Sequence, residues 1–202
     1  GIWQSIRDNG VARFPGVEGR IPNFIGAEAA ATALGELPEF TSAATIKCNP
    51  DSPQRPVRHL ALKRGKTVFM AVPKLRDHRC FIKLDPANMT KGDLWKASSA
   101  KGAFDLGELV TPDDMPPIDL IVTGCVGAGS DGVRLGKGGG YADLEYAILL
   151  ESGRIEADVP IATTVHSCQV LPADMAPRDH WDLSLDIIVT ESAVIRVDSP
   201  PE

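Results

Sequence analysis

The stretch from Ile118 to Ser152 restricts the fold more than any other. An apolar run at 118–123 (IDLIVT) leads into seventeen residues, 124–140, that hold eight glycines, and these lead into a helix-type stretch at 141–152 (YADLEYAILLES). Branched apolar residues in sequence suit a strand buried on both faces. Gly153 then stands where a helix C-cap glycine belongs. A strand, a long glycine-rich connection and a helix make most of a β-α-β unit, and the remaining chain supplies partners for it. SAATIK (42–47), TVFMAV (67–72), CFIKL (80–84), PIATTV (160–165), DIIVT (186–190) and AVIRV (193–197) read as strands. Helices are predicted over 26–37, stopped by Pro38, over 54–64 with Pro56 confined to the first turn, and near 93–98. Residues 11–25 and 111–117 read as loops, and 85–117 is rich in turn residues. This alternation predicts the α/β class, with an open, mostly parallel, Rossmann-like sheet carrying helices on both faces. At about 150 residues per domain, a chain of 202 residues is expected to form a single domain over 1–202.

Composition removes other classes. Apolar residues make up 43% and charged residues 24%, which excludes a mostly disordered chain, a coiled coil and a fibre. No apolar run approaches the ~18–20 residues of a membrane span, and the N-terminus lacks the layout of a signal peptide. Cys48, Cys80, Cys125 and Cys168 are all at least 32 residues apart, so no C-x-x-C or zinc-ribbon spacing occurs. They read as unpaired thiols of a reducing compartment, giving an expected cytoplasmic location. The net charge is −6, yet residues 54–83 carry nine basic residues and one acid, a local +8 that leaves −14 on the rest. Such a field favours an anionic small molecule over a long nucleic acid, unless it is a solvated helix face.

The glycine-rich stretch carries the chemistry. In open α/β sheets ligands bind outside the carboxyl ends of the strands. A glycine loop feeding a helix N-terminus there offers backbone N–H groups and partial positive charge to an anion. Gly138, Gly139 and Gly140 can form such a nest, with Arg134 and Lys137 as flanking cations. Asp143, in the first turn, is a hard ligand for a phosphate-bound Mg²⁺ or an ordinary first-turn acid. A Walker A loop fails, because Gly138 follows Gly136-Lys137 and position 131 is Asp131. The letters G-x-G-x-x-G occur at 127–132, but further glycines follow where a helix must start, and no acid ends the strand at 160–165. His59, His78, His166 and His180 include no i, i+4 pair, and no G-x-S-x-G elbow occurs. His166 lies just past a strand end, on the side where ligands bind.

The run Arg134-Leu135-Gly136-Lys137-Gly138-Gly139-Gly140-Tyr141-Ala142-Asp143 resembles the R-L-G-x-G-x-G-Y-Y-D signature of the 5-formyltetrahydrofolate cyclo-ligase (methenyltetrahydrofolate synthetase) family. Asp119-Leu120-Ile121-Val122 before it, Val72-Pro73-Lys74, and the order His166, Gln169, Pro172, then Asp186-Ile187-Ile188-Val189-Thr190 are similar to that family as well. Gly19-Arg20-Ile21-Pro22-Asn23-Phe24 resembles its divergent methenyltetrahydrofolate synthase domain-containing branch. The resemblance implies ATP and Mg²⁺ at the glycine loop and a folate-type substrate in the adjacent cleft. The implied reaction is the ATP-driven closure of 5-formyltetrahydrofolate to 5,10-methenyltetrahydrofolate. The formyl oxygen is phosphorylated, N10 closes the ring and phosphate leaves. Arg134 and Lys137 would then be catalytic cations. Arg134, Gly136, Lys137, Gly138, Gly139, Gly140 and Tyr141 would bind the nucleotide. Tyr141 and Lys74 would face the substrate, and Asp143 and Asp186 would hold Mg²⁺, with Asp186 otherwise a strand-start residue. Two positions depart from the pattern: Ala142 replaces the second Tyr, and Trp3 stands where the opening helix carries a Lys four residues before an Arg, here Arg7. Lys74 or Arg58 could stand in for that Lys. The departures also fit a non-catalytic or repurposed member binding nucleotide, folate, RNA or a protein partner.

Overall fold

A computed structural model describes residues 1–17, 19–72, 78–177 and 183–198. In chain order its elements begin with helix α1 (Ile2–Asp8), helix α2 (Ala27–Gly35), the short helix α3 (Pro38–Thr41), strand β1 (Thr45–Cys48), helix α4 (Arg55–Lys63) and strands β2 (Thr67–Ala71) and β3 (Phe81–Leu84). Helices α5 (Lys91–Ala97) and α6 (Ala100–Leu106) lead to strands β4 (Glu108–Val110), β5 (Leu120–Val122), β6 (Gly127–Gly129) and β7 (Arg134–Leu135). Helix α7 (Tyr141–Glu151) precedes strands β8 (Ile161–Thr164), β9 (Val170–Leu171), β10 (Ile187–Val189) and β11 (Val194–Arg196).

Eight strands form one sheet in the order β11-β10-β8-β5-β1-β2-β3-β4. The five from β10 to β2 run parallel; β11 pairs antiparallel at one edge, and β3 and then β4 add antiparallel pairings at the other. This is the open, mostly parallel sheet expected. Alternation along each strand divides the core in two. Ile46, Cys48, Val68, Met70, Leu120, Val122, Ile187 and Val189 meet Ala31 and Leu34 of α2 and Val57, Ala61 and Leu62 of α4. Phe69, Ala71, Ile121, Ile161 and Ile188 meet Ala142 and Leu149 of α7 on the opposite face. Helices therefore cover both faces.

Two repeated letters organise the amino-terminal edge. Asp119 immediately precedes β5, and its Oδ2 accepts from the N–H groups of Ala44 and Thr45 at 2.9 and 3.1 Å. Asp186 immediately precedes β10, and its Oδ2 accepts from the Ile161 N–H at 2.8 Å. Each carboxylate latches a neighbouring strand at its first free donor.

Three expectations are corrected in detail. Pro38 does not stop α2, which ends at Gly35; it opens α3, where its missing N–H costs nothing. Besides the helix expected near 93–98, which is α5, set by a Thr90/Asp93 capping box, the turn-rich 85–117 holds α6 and β4. Residues 124–140 are not one long loop. β6 and β7 pair antiparallel, and β6 pairs parallel with β9 in a separate three-stranded sheet. Gly127 and Gly129 are buried in that sheet, and Gly132 (φ +94°) turns the hairpin. The G-x-G-x-x-G letters are thus a β-hairpin.

Candidate functional site

Helix α7 begins at the carboxyl edge of the sheet and descends over its face, so the residues after β1, β5 and β8 meet beneath its first turns. Arg58 sets the first of these connections. Its buried guanidinium donates to the carbonyls of Asn49 (2.5 Å), Asp51 (2.9 Å) and Pro50 (3.3 Å), and also to Ser98 O (2.8 Å). Three of these carbonyls lie in the turn N-P-D-S-P that follows β1, so the guanidinium fixes that turn and ties it to the end of α5. The fully buried Gln54 donates to Thr164 O and Thr164 Oγ1 at 3.1 and 3.0 Å, tying this turn to the end of β8. Its Oε1 is buried without a hydrogen-bond partner. Asp51 Oδ2 and Gln54 Oε1 both crowd the place where a Cβ on Gly124 would stand, so only glycine lets the chain leaving β5 pass so close.

Arg134 holds the glycine segment to the same edge. Its Nε and Nη2 donate to Gly124 O at 3.0 and 2.7 Å. Gln169 adds a second tie, donating from Nε2 to Val126 O at 2.9 Å while its Oε1 accepts from His166 N–H at 2.7 Å. Beyond β7 the backbone opens. Gly136, Lys137, Gly138, Gly139 and Gly140 are exposed or half-exposed, and Gly138 (φ +102°) and Gly140 (φ +69°) have left-handed backbones with nothing within 4 Å of where a Cβ would stand. Gly140 is the N-cap of α7 and offers no side chain, so the first-turn N–H groups are uncapped by any side chain at that position. Tyr141 is 39% exposed, with its ring against Gly139.

Charge here is dense and mixed. Burial pushes the Asp51 carboxyl up, against the opposing pull of Arg58, Lys137 and Arg134, while Glu145 pushes the same way as burial. Beneath α7, Lys47 Nζ lies 2.6 Å from Glu145 Oε1 and 2.7 Å from Asn49 Oδ1, with both ion-pair partners buried. Burial also raises the thiols of Cys48 and Cys125, which makes them inert packing groups.

The expected site residues divide clearly. Arg134, Gly136, Lys137, Gly138, Gly139, Gly140, Tyr141 and Asp143 come together between β7 and the first turn of α7. Asp143 Oδ1 accepts from the Leu183 N–H at 2.7 Å. Asp186 does not join them. It sits at the amino end of β10, the opposite edge of the sheet, and serves Ile161; the strand-start alternative describes it. Among the described residues no three His, Cys, Asp or Glu side chains form a metal-type cluster. Lys74 lies outside the described residues. Among the described residues, several cations of the basic segment are engaged away from the loop. Arg55 stacks 3.6 Å from the centroid of Trp95, Arg64 donates to Gly35 O, and Lys66 donates to Ala43 O, while Arg58 alone of these four shapes the site edge. His166 accepts from Cys168 N–H at Nδ1 and faces Glu191 and Phe24. Ala142 is packed in the core. Sequence reasoning missed Asp51, Gln54, Lys47 and Glu145, which become neighbours of the loop only through the sheet order.

A profile of the 5-formyltetrahydrofolate cyclo-ligase family matches residues 16–191. The chain belongs to that family. Methenyltetrahydrofolate synthase domain-containing proteins are similar to it, at 40% identity over 195 residues for Mus musculus and 38% for Bos taurus, each over 96% of this chain. The chain spans about half the length of these curated relatives, 52% and 51% respectively. Among solved structures, the Aquifex aeolicus 5,10-methenyltetrahydrofolate synthetase shares the fold with a TM-score of 0.59 and 23% identity, over 98% of this chain and 89% of that one. A Mycoplasma pneumoniae 5,10-methenyltetrahydrofolate synthetase does so at 0.53 and 15%, over 98% and 96%. The cyclo-ligase family's sheet and the resemblance of 134–143 to its signature thus agree. No helix among the described residues is long and apolar enough to cross a membrane.

Proposed function

We propose that this chain is an ATP- and Mg²⁺-dependent ligase acting on a folate-type substrate, closing 5-formyltetrahydrofolate to 5,10-methenyltetrahydrofolate. The observation that carries the reading is the meeting, at one sheet edge, of an open glycine loop, an uncapped helix N-terminus, the Lys137 and Arg134 cations and a set of buried acceptors. The residues fit a polyphosphate. Left-handed Gly138 and Gly140 leave space above the backbone, and the first-turn N–H groups of α7 point the helix dipole at it. ATP, when bound, supplies the phosphoryl group that turns the formyl oxygen into a leaving group. Lys137 neutralises charge developing on that group, and Arg134, fastened to Gly124 O, holds the loop in place and adds fixed positive charge. Asp143, in the first turn of α7, is the carboxylate that would hold Mg²⁺, an ion that takes one or two carboxylates and completes its shell with phosphate oxygens and water. Asp51 and the orphaned Gln54 Oε1 are acceptors for the ring N–H and amino donors of a pterin, and Tyr141 closes the substrate side. The work of the protein is positioning and charge compensation.

The test is ATP-dependent appearance of the methenyl product, followed by its absorbance on mixing the protein with 5-formyltetrahydrofolate and MgATP. Turnover that requires ATP and falls at least about tenfold in Lys137→Ala is expected; a flat trace from folded wild-type protein overturns the catalytic reading. Trp3 in place of a lysine favours a second reading, a repurposed family member. Nucleotide binding without product formation would select it. The four cysteines form no disulfide, which suits a reducing compartment, and we place the protein in the cytoplasm on that ground.

A further inference from the structure

We propose that Trp3 is the platform on which the flat base of the bound nucleotide stacks, so that the cleft selects a base-bearing polyphosphate over a bare one. The inference rests on the nucleotide reading above and deepens it. A cleft of about 740 Å³ lies between α1 and the glycine segment. Ile2, Trp3, Val126, Leu135 and Leu171 give it an apolar wall, and Gly136, Lys137 and Gly138 give it the loop side. Its size falls in the range of small-molecule sites, and a wall of this kind is what such sites offer to a ring.

The two walls ask for two chemistries in one ligand. A polyphosphate satisfies Lys137 and the loop backbone but leaves the apolar wall in contact with water. A heteroaromatic base covers that wall. Trp3 is prepared for the task. Its Nε1–H donates to Arg20 O at 3.2 Å, which satisfies the indole's single polar group and fixes the ring while the side chain remains only partly buried. A lysine at position 3 would serve the phosphate end of the ligand. Tryptophan cannot, so position 3 recognises the other end, while Arg7 is the cation that α1 keeps in the same cleft.

Calorimetric titration of the whole chain with MgATP and with magnesium tripolyphosphate tests this, using wild type, Trp3→Ala, Trp3→Phe and Lys137→Ala. ATP is expected to bind the wild type at least about tenfold more tightly than tripolyphosphate. Trp3→Ala should weaken ATP roughly ten- to a hundredfold, as loss of one base–aromatic stack does, and leave tripolyphosphate affinity unchanged. Trp3→Phe should retain most of the preference. Lys137→Ala should weaken both ligands together. Unchanged ATP affinity in Trp3→Ala overturns the platform while the loop reading stands. Equal losses of ATP and tripolyphosphate in Trp3→Ala also overturn it, because the residue is then only structural. A wild type that binds neither ligand overturns the nucleotide reading and this inference with it.

Discussion

Asp51 holds a carboxylate where burial disfavours its charge, and three cations are needed to offset part of that penalty. A position tuned for ligand rather than for stability looks like this. Asp51→Asn removes the charge, and its amide can donate to the orphaned Gln54 Oε1. One such buried hydrogen bond contributes about 1 kcal/mol, and a chain of this length gains roughly 2–4 °C in Tm per kcal/mol. The substitution is therefore expected to raise Tm by a few degrees at pH 7 and to weaken folate binding at least about tenfold. The gain should shrink as pH falls. The folded-state carboxyl titrates above its unfolded value, so across that interval the folded protein keeps a proton that the unfolded chain has lost. Asp51 accordingly makes stability fall as pH rises from its unfolded pKa to its folded one. Thermal melts from about pH 4 to 8 would show it; a Tm difference independent of pH contradicts the assignment. At this same scale Asp119 and Asp186 show what sequence letters carry and omit. D-L-I-V-T and D-I-I-V-T open two strands whose aspartates latch their neighbours in the same way. The repeat is the signal that assigns Asp186 to the strand start, and a metal-ligand reading of that residue overlooks it.

Helix α7 is fastened by an ion pair buried under its first turns. Lys47 has Glu145 and Asn49 as partners, Glu145 has Lys47, and both see little solvent. Removing one partner strands the other charge, so Lys47→Met or Glu145→Gln alone is expected to lose about 3–5 kcal/mol, whereas Lys47→Met with Glu145→Leu should recover most of it. Urea unfolding of the three variants measures this, and additive losses in the double variant would show that the two groups do not act as a pair. The elements themselves were readable where apolar period and length were strong, as in β2, β5, β8, β10 and α7. The pair was not, because a lone Lys in TIKC and a lone Glu in LEYA gain meaning only when α7 crosses β1. The hairpin of β6 and β7 was also hidden. Glycine content signals turns, and nothing in the letters of 127–129 announces that β9, some forty residues later, provides a partner for them.

Across the whole molecule, the described cations of the +8 segment divide between structural ties and the site edge. Arg55 stacks on Trp95, and Arg64 and Lys66 hold carbonyls around α2 and α3, so among the described residues the cations acting on Asp51 are Arg58, Lys137 and Arg134. Saturating MgATP, at about a hundredfold excess over Kd, should stabilise the protein by about 2.7 kcal/mol. That shift in Tm should persist in Arg55→Ala and diminish in Lys137→Ala. Equal shifts in both variants would remove Lys137 from the site. Sequence charge counting could not separate these cations, since only the sheet order decides which of them face one edge.

Of the eight glycines, Gly124, Gly127, Gly129 and Gly132 are held in the strand exit and the small sheet, and Gly136, Gly138, Gly139 and Gly140 remain in the open stretch. The consequence is one of chain entropy. Fixing the backbone costs about 1–2 kcal/mol per residue, so seizing a ligand with all of 124–140 would forfeit on the order of 17–34 kcal/mol, whereas ordering the five residues 136–140 forfeits on the order of 5–10 kcal/mol. Folding has already settled most of that entropy, so for a stretch that is nearly half glycine only the smaller sum would weigh against the binding of a ligand.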